Sequence, residues 1–578
     1  MTENHWTEID GVKVVWAAVP GPLRAGLIFR TGRSDETLST VGHTHLVEHM
    51  TLSAIDNPSR ANNGFVGASV TGFVTSGRPE DVCSFVLAVC ATLGSLPSER
   101  FETEKDILVA EAAAQSYDAI ANLLAWRYGA VGHGLVGMPE FGLRGATMTQ
   151  LHEVVAQRFT AGNAVLWLSG PPPADLQLAL RPGVKRPIPP FSPVHATYPT
   201  WFVDDRSGGL AASAVVPRVA ACPIFCEIAQ TRLHESLRTE RAVSYAPSVL
   251  YDPLNADFAH VVLYADSDKD RRVELGDAFG KVFDGLTKVE DAEVEAAQRQ
   301  LLDHWTGPLA PPPGELALRE VQRAAMDWLF EREPESLEQL VAEMATVSAA
   351  DVEAVGRDVQ LAAILAMPSE ALIRPWIGEK APISVDKAVA GREIRSRGAR
   401  AKRERLVHAA DGVGVRSDDG SQVTVRYSQL AAALTYEDGC VCLIGYDGAM
   451  VTVEPTLWRN GARVCREILE RVPDDLLLDR GSRSMDAIPK PSARALRRSR
   501  PSGVAVWSRL LGLSLLVSGG LLGLFVVAVL VPAGVDTIKF DGGIIGVLVA
   551  AVLVFVPLAL AGLLVYKGIR GLKKGAAA

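Results

Sequence analysis

The sequence predicts an α+β fold: mixed helix and strand patterns through the first two thirds, a small β-rich unit, and a transmembrane helical hairpin. Three observations point to it. A helix-then-strand pattern at 151–169 (LHEVVAQRFTAGNAVLWLS) is echoed more weakly at 348–367 (SAADVEAVGRDVQLAAILAM), as a duplicated unit would be. Short alternating apolar runs between 405 and 472 are punctuated by Asp-Gly pairs. Two segments, 510–531 and 544–566, are apolar and free of charge. A chain of 578 residues accommodates all three as units of ordinary size.

The segment GHTHLVEHM, starting at Gly42, holds His45-Leu-Val-Glu48-His49. On a helix, residues four apart share a face, so both imidazoles can reach one ion while Glu48 stands a step round the barrel. The order H-x-x-E-H inverts the commoner H-E-x-x-H metalloprotease helix and divides labour the same way, His45 and His49 as ligands and Glu48 as general base. A catalytic zinc needs three protein ligands and one open position, so a further carboxylate or imidazole must come from another element. The stretch 97–111 reads as an acidic-ended helix with Ser98 as N-cap, and places Glu104 and Glu111 on one face, two turns apart.

With these residues in view, the chain resembles the pitrilysin, insulin-degrading-enzyme and mitochondrial-processing-peptidase family of zinc peptidases. That family shows G-x-x-H-x-x-E-H, then E-x-x-x-x-x-x-E on a later helix, and here the positions fall on Gly42, His45, Glu48, His49, Glu104 and Glu111. The resemblance implies Zn2+ as cofactor, Glu111 as third ligand and Glu104 as its support. The segments 9–15 and 26–32 look like the family's first two strands, and Glu36 sits at its family place, six before Gly42.

The family is built from two duplicated α/β halves, each a sheet packed with helices, and the resemblance implies the same here, over 1–185 with the metal and 186–385 without it. In the second half, Arg238 and Tyr245 hold the spacing of an Arg and a Tyr that contact substrate near the metal. By analogy with members of this subunit size, the half facing the zinc belongs to a partner, which implies a homodimer, or a heterodimer with a related subunit, closing on a peptide substrate. Two departures accompany the match. The segment 51–59 is shorter than usual, and Gly67 stands where the family has Asn on an edge strand expected over 67–71.

Residues 386–404 are charged and Arg-rich, the composition of a solvated linker. A basic run can bind nucleic acid, but the chain is acidic, with 67 Asp and Glu against 58 Lys and Arg, and no recognition module accompanies the run, so no nucleic-acid partner is expected. From 405 to 475 the runs 413–415, 423–427, 440–444 and 450–453, joined by Asp419-Gly420, Asp438-Gly439 and Asp447-Gly448, predict an antiparallel meander. An amphipathic helix over 458–472 closes it, a pattern similar to pleckstrin-homology-like (PH-like) domains found beside bacterial membrane segments. A second basic linker is expected over 476–505.

Each apolar segment exceeds twenty residues and can cross a bilayer; the hairpin spans 506–567, and a basic tail follows at 568–578. Arg494, Arg497, Arg498, Arg500 and Arg509 precede it and Lys567, Arg570, Lys573 and Lys574 follow it, while the intervening loop has one Lys and two Asp. Positive residues stay inside, which places both termini in the cytoplasm at the inner membrane. The start MTENHWTEIDG lacks a signal peptide's basic and apolar regions, in keeping with that orientation. The seven cysteines lack zinc-finger spacing and are expected as reduced, mainly buried thiols.

Overall fold

The computed structural model describes residues 4–489, apart from 56–60, 115–118, 196–197, 207, 306, 308–309, 372–378, 397–403 and 418–419. In the first half, strands β1 (His5–Ile9), β2 (Val12–Trp16) and β3 (Leu23–Phe29) precede helix α1 (His43–Ser53). Strands β4 (Asn63–Val66) and β5 (Thr71–Gly77) follow, then helices α2 (Pro79–Gly94), α3 (Phe101–Ala114), α4 (Ala119–Tyr128) and α5 (Met148–Arg158), and strand β6 (Ala164–Leu168). They form one sheet in the order β1-β2-β6-β3-β5-β4.

The run 9–15 is not a single strand. Asp10 and Gly11 both take positive φ, 50° and 80°, and turn the chain into a β1–β2 hairpin. The edge strand also moves: β4 ends at Val66, and Gly67 donates to the Val70 carbonyl at 2.8 Å within a turn, so 67–71 is not the edge. Helices α1 and α2 cover one sheet face, where Leu46, Met50, Val86 and Val89 meet Leu27, Phe29, Phe73 and Leu166. The expected helix over 97–111 is α3, although Ser98 opens a 3-10 turn and makes no capping bond.

The second half repeats the plan. Strands β7 (Thr200–Val203) and β8 (Gly209–Pro217), helix α6 (Ala221–Leu233), and strands β9 (Ser248–Pro253) and β10 (Phe258–Asp266) lead into five helices. These are α7 (Arg272–Gly285), α8 (Asp291–Trp305), α9 (Pro313–Leu329), α10 (Leu337–Ala345) and α11 (Ala349–Leu361), followed by β11 (Ile364–Met367) and β12 (Glu379–Lys380). The sheet order β12-β7-β11-β8-β10-β9 matches the first sheet from its second strand onward. Sense matches as well: β2/β6 and β7/β11 are parallel, β6/β3 and β11/β8 antiparallel.

The halves exchange helices. From the first half, α4 lies under the second sheet, its Leu123 packed with Phe202, Ala211, Val262 and Ile364, while Arg127 donates to the carbonyls of Ser213 (2.7 Å) and Ala362 (2.8 Å). From the second half, α9 covers the open face of the first sheet, with Leu318, Val321 and Leu329 against Val15, Ile28, Val165 and Trp167. The central strands thus have both faces dry, which explains why β6 is buried at every residue.

The β-rich unit has two four-stranded sheets and one helix. Strands β13 (Arg392–Arg395), β14 (Arg405–His408), β15 (Gly412–Arg416) and β16 (Gln422–Arg426) form the first. The second has the order β19-β18-β17-β20, from β17 (Leu430–Thr435), β18 (Val441–Gly445), β19 (Met450–Val453) and β20 (Leu477–Asp479), with α12 (Gly461–Leu469) before β20. Gly420, Gly439 and Gly448 take the positive φ their turns require. Leu406, Val425, Leu443, Val451, Trp458, Val464 and Ile468 form the core.

Two expected linkers are partly ordered strand. Within 386–404, β13 pairs antiparallel with β14, burying one side chain, Ile394, and leaving Arg392, Glu393 and Arg395 exposed, the charged edge that discourages further pairing. Within 476–505, β20 pairs parallel to β17. Strand β17 itself has no alternating pattern because both its faces are buried, Leu430 and Ala433 in the unit's core and Ala432 and Leu434 against the first half.

The apolar segments 510–531 and 544–566 lie outside the described residues. Among the described residues, no single helix is long and apolar enough to cross a membrane.

Candidate metal centre

Helix α1 is placed by its buried face and by an unusual start. Gly42, at φ 104°, begins it, and the Glu36 carboxylate accepts from the backbone amides of Gly42 (3.0 Å) and Thr44 (2.7 Å), satisfying donors that no earlier turn can reach. Burial pushes the Glu36 carboxyl up to about 7, against those two amides, which favour its charge.

One turn apart on α1, the His45 and His49 rings stand 4.9 Å apart with planes at 89°. Helix α3 brings Glu111 to them, and one donor atom from each of His45, His49 and Glu111 lies within 4.8 Å of the others. His49 Nε2 is 3.8 Å from Glu111 Oε2 and 3.8 Å from Glu48 Oε2. The His49–Glu111 spacing exceeds the ~3.4 Å between ligand atoms that tetrahedral zinc bonds of ~2.0–2.2 Å imply, so the side chains would have to close in to hold an ion.

The donor set fits a divalent zinc in chemistry as well as place. A carboxylate only accepts, so an imidazole nitrogen facing one carries the proton and leaves the other nitrogen as the ligand. His45 Nδ1 donates to Glu140 Oε1 at 2.9 Å, and His49 Nδ1 faces Glu104 Oε2 at 3.4 Å. Glu104 accepts in turn from Arg100 Nε (3.0 Å) and Nη2 (2.6 Å). Two imidazoles, one carboxylate and an accessible side, with the Glu111 side chain 43% exposed, make the open three-ligand pattern of catalytic rather than structural zinc.

Glu48 is buried beside this cluster. Desolvation raises its pKa to about 7; His45 opposes the rise, and Glu111, Glu104 and Glu140 reinforce it. Burial opposes protonation of His45, yet Glu140 and Glu48 outweigh it and raise that imidazole.

Glu104, Glu111, His45, His49 and Glu48 therefore converge, from positions on two helices that are 55 or more residues apart in sequence. Arg238 and Tyr245 do not join them. They lie on a π-helical turn (His234–Glu240) and the loop after it, exposed and stacked on each other with the guanidinium 5.2 Å from the ring centroid. Among the described residues, no hydrogen bond or ion pair links either to the metal cluster.

Sequence reasoning missed Glu140 and its ion-pair partner Arg33, both buried. Burial disfavours the Glu140 charge, but Arg33 and His45 prevail and hold the carboxyl well below its usual range. One signal was present: Glu140 is the single acid between Asp118 and Glu153.

No protein-family profile matches the sequence, and no curated protein matches it. Solved structures do match the fold. The first half of the periplasmic protease PqqL from Escherichia coli aligns with a TM-score of 0.51 at 12% identity, over 64% of this chain and 92% of that one. A protease from Helicobacter pylori aligns at 0.52 and 12%, over 64% and 100%. A peptidase M16 inactive domain from Pseudomonas fluorescens aligns at 0.51 and 15%, over 64% and 98%. The two halves have the pitrilysin-like fold of M16 peptidases and of inactive M16-like domains.

Proposed function

We propose that the chain is a membrane-anchored zinc metalloendopeptidase whose catalytic part faces the cytoplasm. The observation behind this reading is the convergence of His45, His49 and Glu111 within 4.8 Å, with Glu48 at 3.8 Å from His49 Nε2. His45, His49 and Glu111 hold the metal. Zinc bound there supplies a Lewis acid and lowers the pKa of water towards neutrality. Glu48, its proton affinity raised to about 7, accepts a proton from the attacking water and returns one to the leaving amine. Glu104 orients His49. Arg238 and Tyr245, which no hydrogen bond or ion pair among the described residues ties to the cluster, serve as substrate contacts for the metal centre of a second subunit, identical or related, in a dimer that encloses the peptide. The β-rich unit is a PH-like module, and the segments 510–531 and 544–566 are the anchor, with the flanking Arg and Lys residues on the cytoplasmic side. Peptides or precursor peptides at the inner membrane face are the substrate class.

The test is cleavage of a peptide mixture by the full-length chain in mild detergent, compared with Glu48→Gln, alongside zinc content. Cleavage by the parent and loss of it in the variant, both holding zinc, is the expected result. Equal cleavage removes Glu48 from its role.

A second reading is a catalytically silent, peptide-binding partner subunit. It is favoured by the likeness to an inactive M16 domain and by the lack, among the described residues, of any hydrogen bond or ion pair from Arg238 or Tyr245 to the cluster. It predicts no bound zinc, whereas the complete His45, His49, Glu111 and Glu48 set speaks for the enzyme.

A further inference from the structure

We propose that Glu140 is a positioning residue for the metal centre: gripped by Arg33 and carried on a segment braced by the β-rich unit, it locks His45 so that Nε2 faces the ion. This rests on the reading of His45, His49 and Glu111 as metal ligands.

The same oxygen, Oε1, accepts from His45 Nδ1 at 2.9 Å and from the Arg33 guanidinium, so rotation of Glu140 away from the ring breaks two contacts at once. All three side chains are buried, which leaves water no route to replace either bond. The backbone is equally constrained. A β-carbon on Gly42 would lie 2.9 Å from Glu140 Cβ and 2.7 Å from Leu143 Cγ, so the glycine that starts α1 admits the Glu140 segment against the helix end. Gly142 then donates to the Val41 carbonyl at 3.1 Å.

The far side of the segment belongs to the β-rich unit. Met138 and Phe141, which bracket Glu140, share a core with Ala432, Leu434, Ile444 and Met450. Arg480 lies over the Phe141 ring, 5.1 Å from its centroid. Ala130 donates to the Tyr446 carbonyl at 2.9 Å, and a β-carbon on Gly129 would stand 2.0 Å from that oxygen. Helix α1 on one side and the unit on the other leave Glu140 a single place. His49 has its counterpart in Glu104, but that carboxylate is only four residues from its own arginine, which ends the 3-10 turn leading into α3, whereas the Glu140 pair spans 107 residues and depends on the tertiary fold.

The experiment measures zinc affinity of the full-length chain by competition with a chromophoric chelator, and the visible spectrum of its cobalt-substituted form. Variants are Glu140→Gln, which retains an acceptor oxygen, and the double variant Arg33→Met/Glu140→Leu, which removes both charges together. Orienting carboxylates typically contribute about 10- to 100-fold in metal affinity, and the double variant is expected in that range with an altered cobalt spectrum. Glu140→Gln is expected to weaken zinc by about fivefold or more, and decides the matter if the double variant does not fold. A Glu140→Gln protein with zinc affinity within about twofold of the parent and the same cobalt spectrum overturns the proposal, even where its melting temperature falls. A parent chain that takes up no zinc overturns the metal-site reading, and this one with it.

Discussion

Gly64 on β4 faces Glu48 so closely that a β-carbon at Gly64 would lie 2.1 Å from Glu48 Oε1 and 2.9 Å from Leu52 Cδ1. The edge strand therefore leaves the carboxylate its space only by having no side chain at that point. Gly64→Ala is expected to push Glu48 aside while leaving His45, His49 and Glu111 in place. Misplacing a catalytic group by about 1 Å costs about a hundredfold in rate, so peptide cleavage should fall by roughly that factor at unchanged zinc content. A Gly64→Ala chain that cleaves at the parent rate would show that Glu48 is not confined there.

Metal removal follows from the donor set. Zinc that binds the folded chain alone stabilises it by about 2.7 kcal/mol at a hundredfold excess over Kd, and a chelator should lower the melting temperature correspondingly. Glu111→Ala is expected to abolish the zinc-dependent part of that shift, because only two protein ligands remain. Melting curves with and without zinc check it; equal zinc responses in parent and variant would remove Glu111 from the ligand set.

His260, in the second sheet and bonded to Ser213 Oγ at 2.7 Å, gives a pH dependence unrelated to the metal. Burial pulls its pKa down to about 3, with Arg127 and His133 acting in the same direction. The unfolded chain, with His near 6.5, binds the extra proton in the window between these values. This contribution to stability is thus present above about pH 6.5 and falls by about 1.4 kcal/mol per pH unit on acidification towards 3. The gap in melting temperature between the parent and His260→Gln should narrow from pH 7 to pH 5. A gap that stays constant means His260 is not held neutral.

Ile444 is fully buried in the core shared by the β-rich unit and the first half. Ile444→Ala should cost about 2–5 kcal/mol, and because one core serves both bodies, both should melt together at a lower temperature. Calorimetry separates the cases. A new low-temperature transition for the unit alone, with the halves unmoved, would mean the shared core does not couple them.

Local chemistry made much of this legible in one dimension. H-x-x-E-H places two imidazoles on one helix face by the 3.6-residue period alone, and Asp-Gly pairs announce turns because glycine tolerates positive φ. The repeated helix-then-strand pattern at 151–169 and 348–367 reappears as matching sheet order in the two halves. The single strand expected over 9–15 failed where a two-residue Asp-Gly turn, the same signal used correctly later in the chain, interrupts it. Short stretches of the expected linkers are strand instead, because their charges hide one buried side chain, Ile394, and a three-residue strand, β20.

Residue identity and short-range periodicity, then, were enough for α1, for the pairing of Glu104 with Glu111 on α3, and for the hairpin-rich character of residues 405–475. They could not foresee that α4 and α9 trade places between halves, that β17 is dry on both faces, or that Glu140 finds His45 across 95 residues. Such contacts are chosen by burial: a charge with no local partner is tolerated inside only where distant chain segments bring it one, and that meeting exists only once the whole chain has packed.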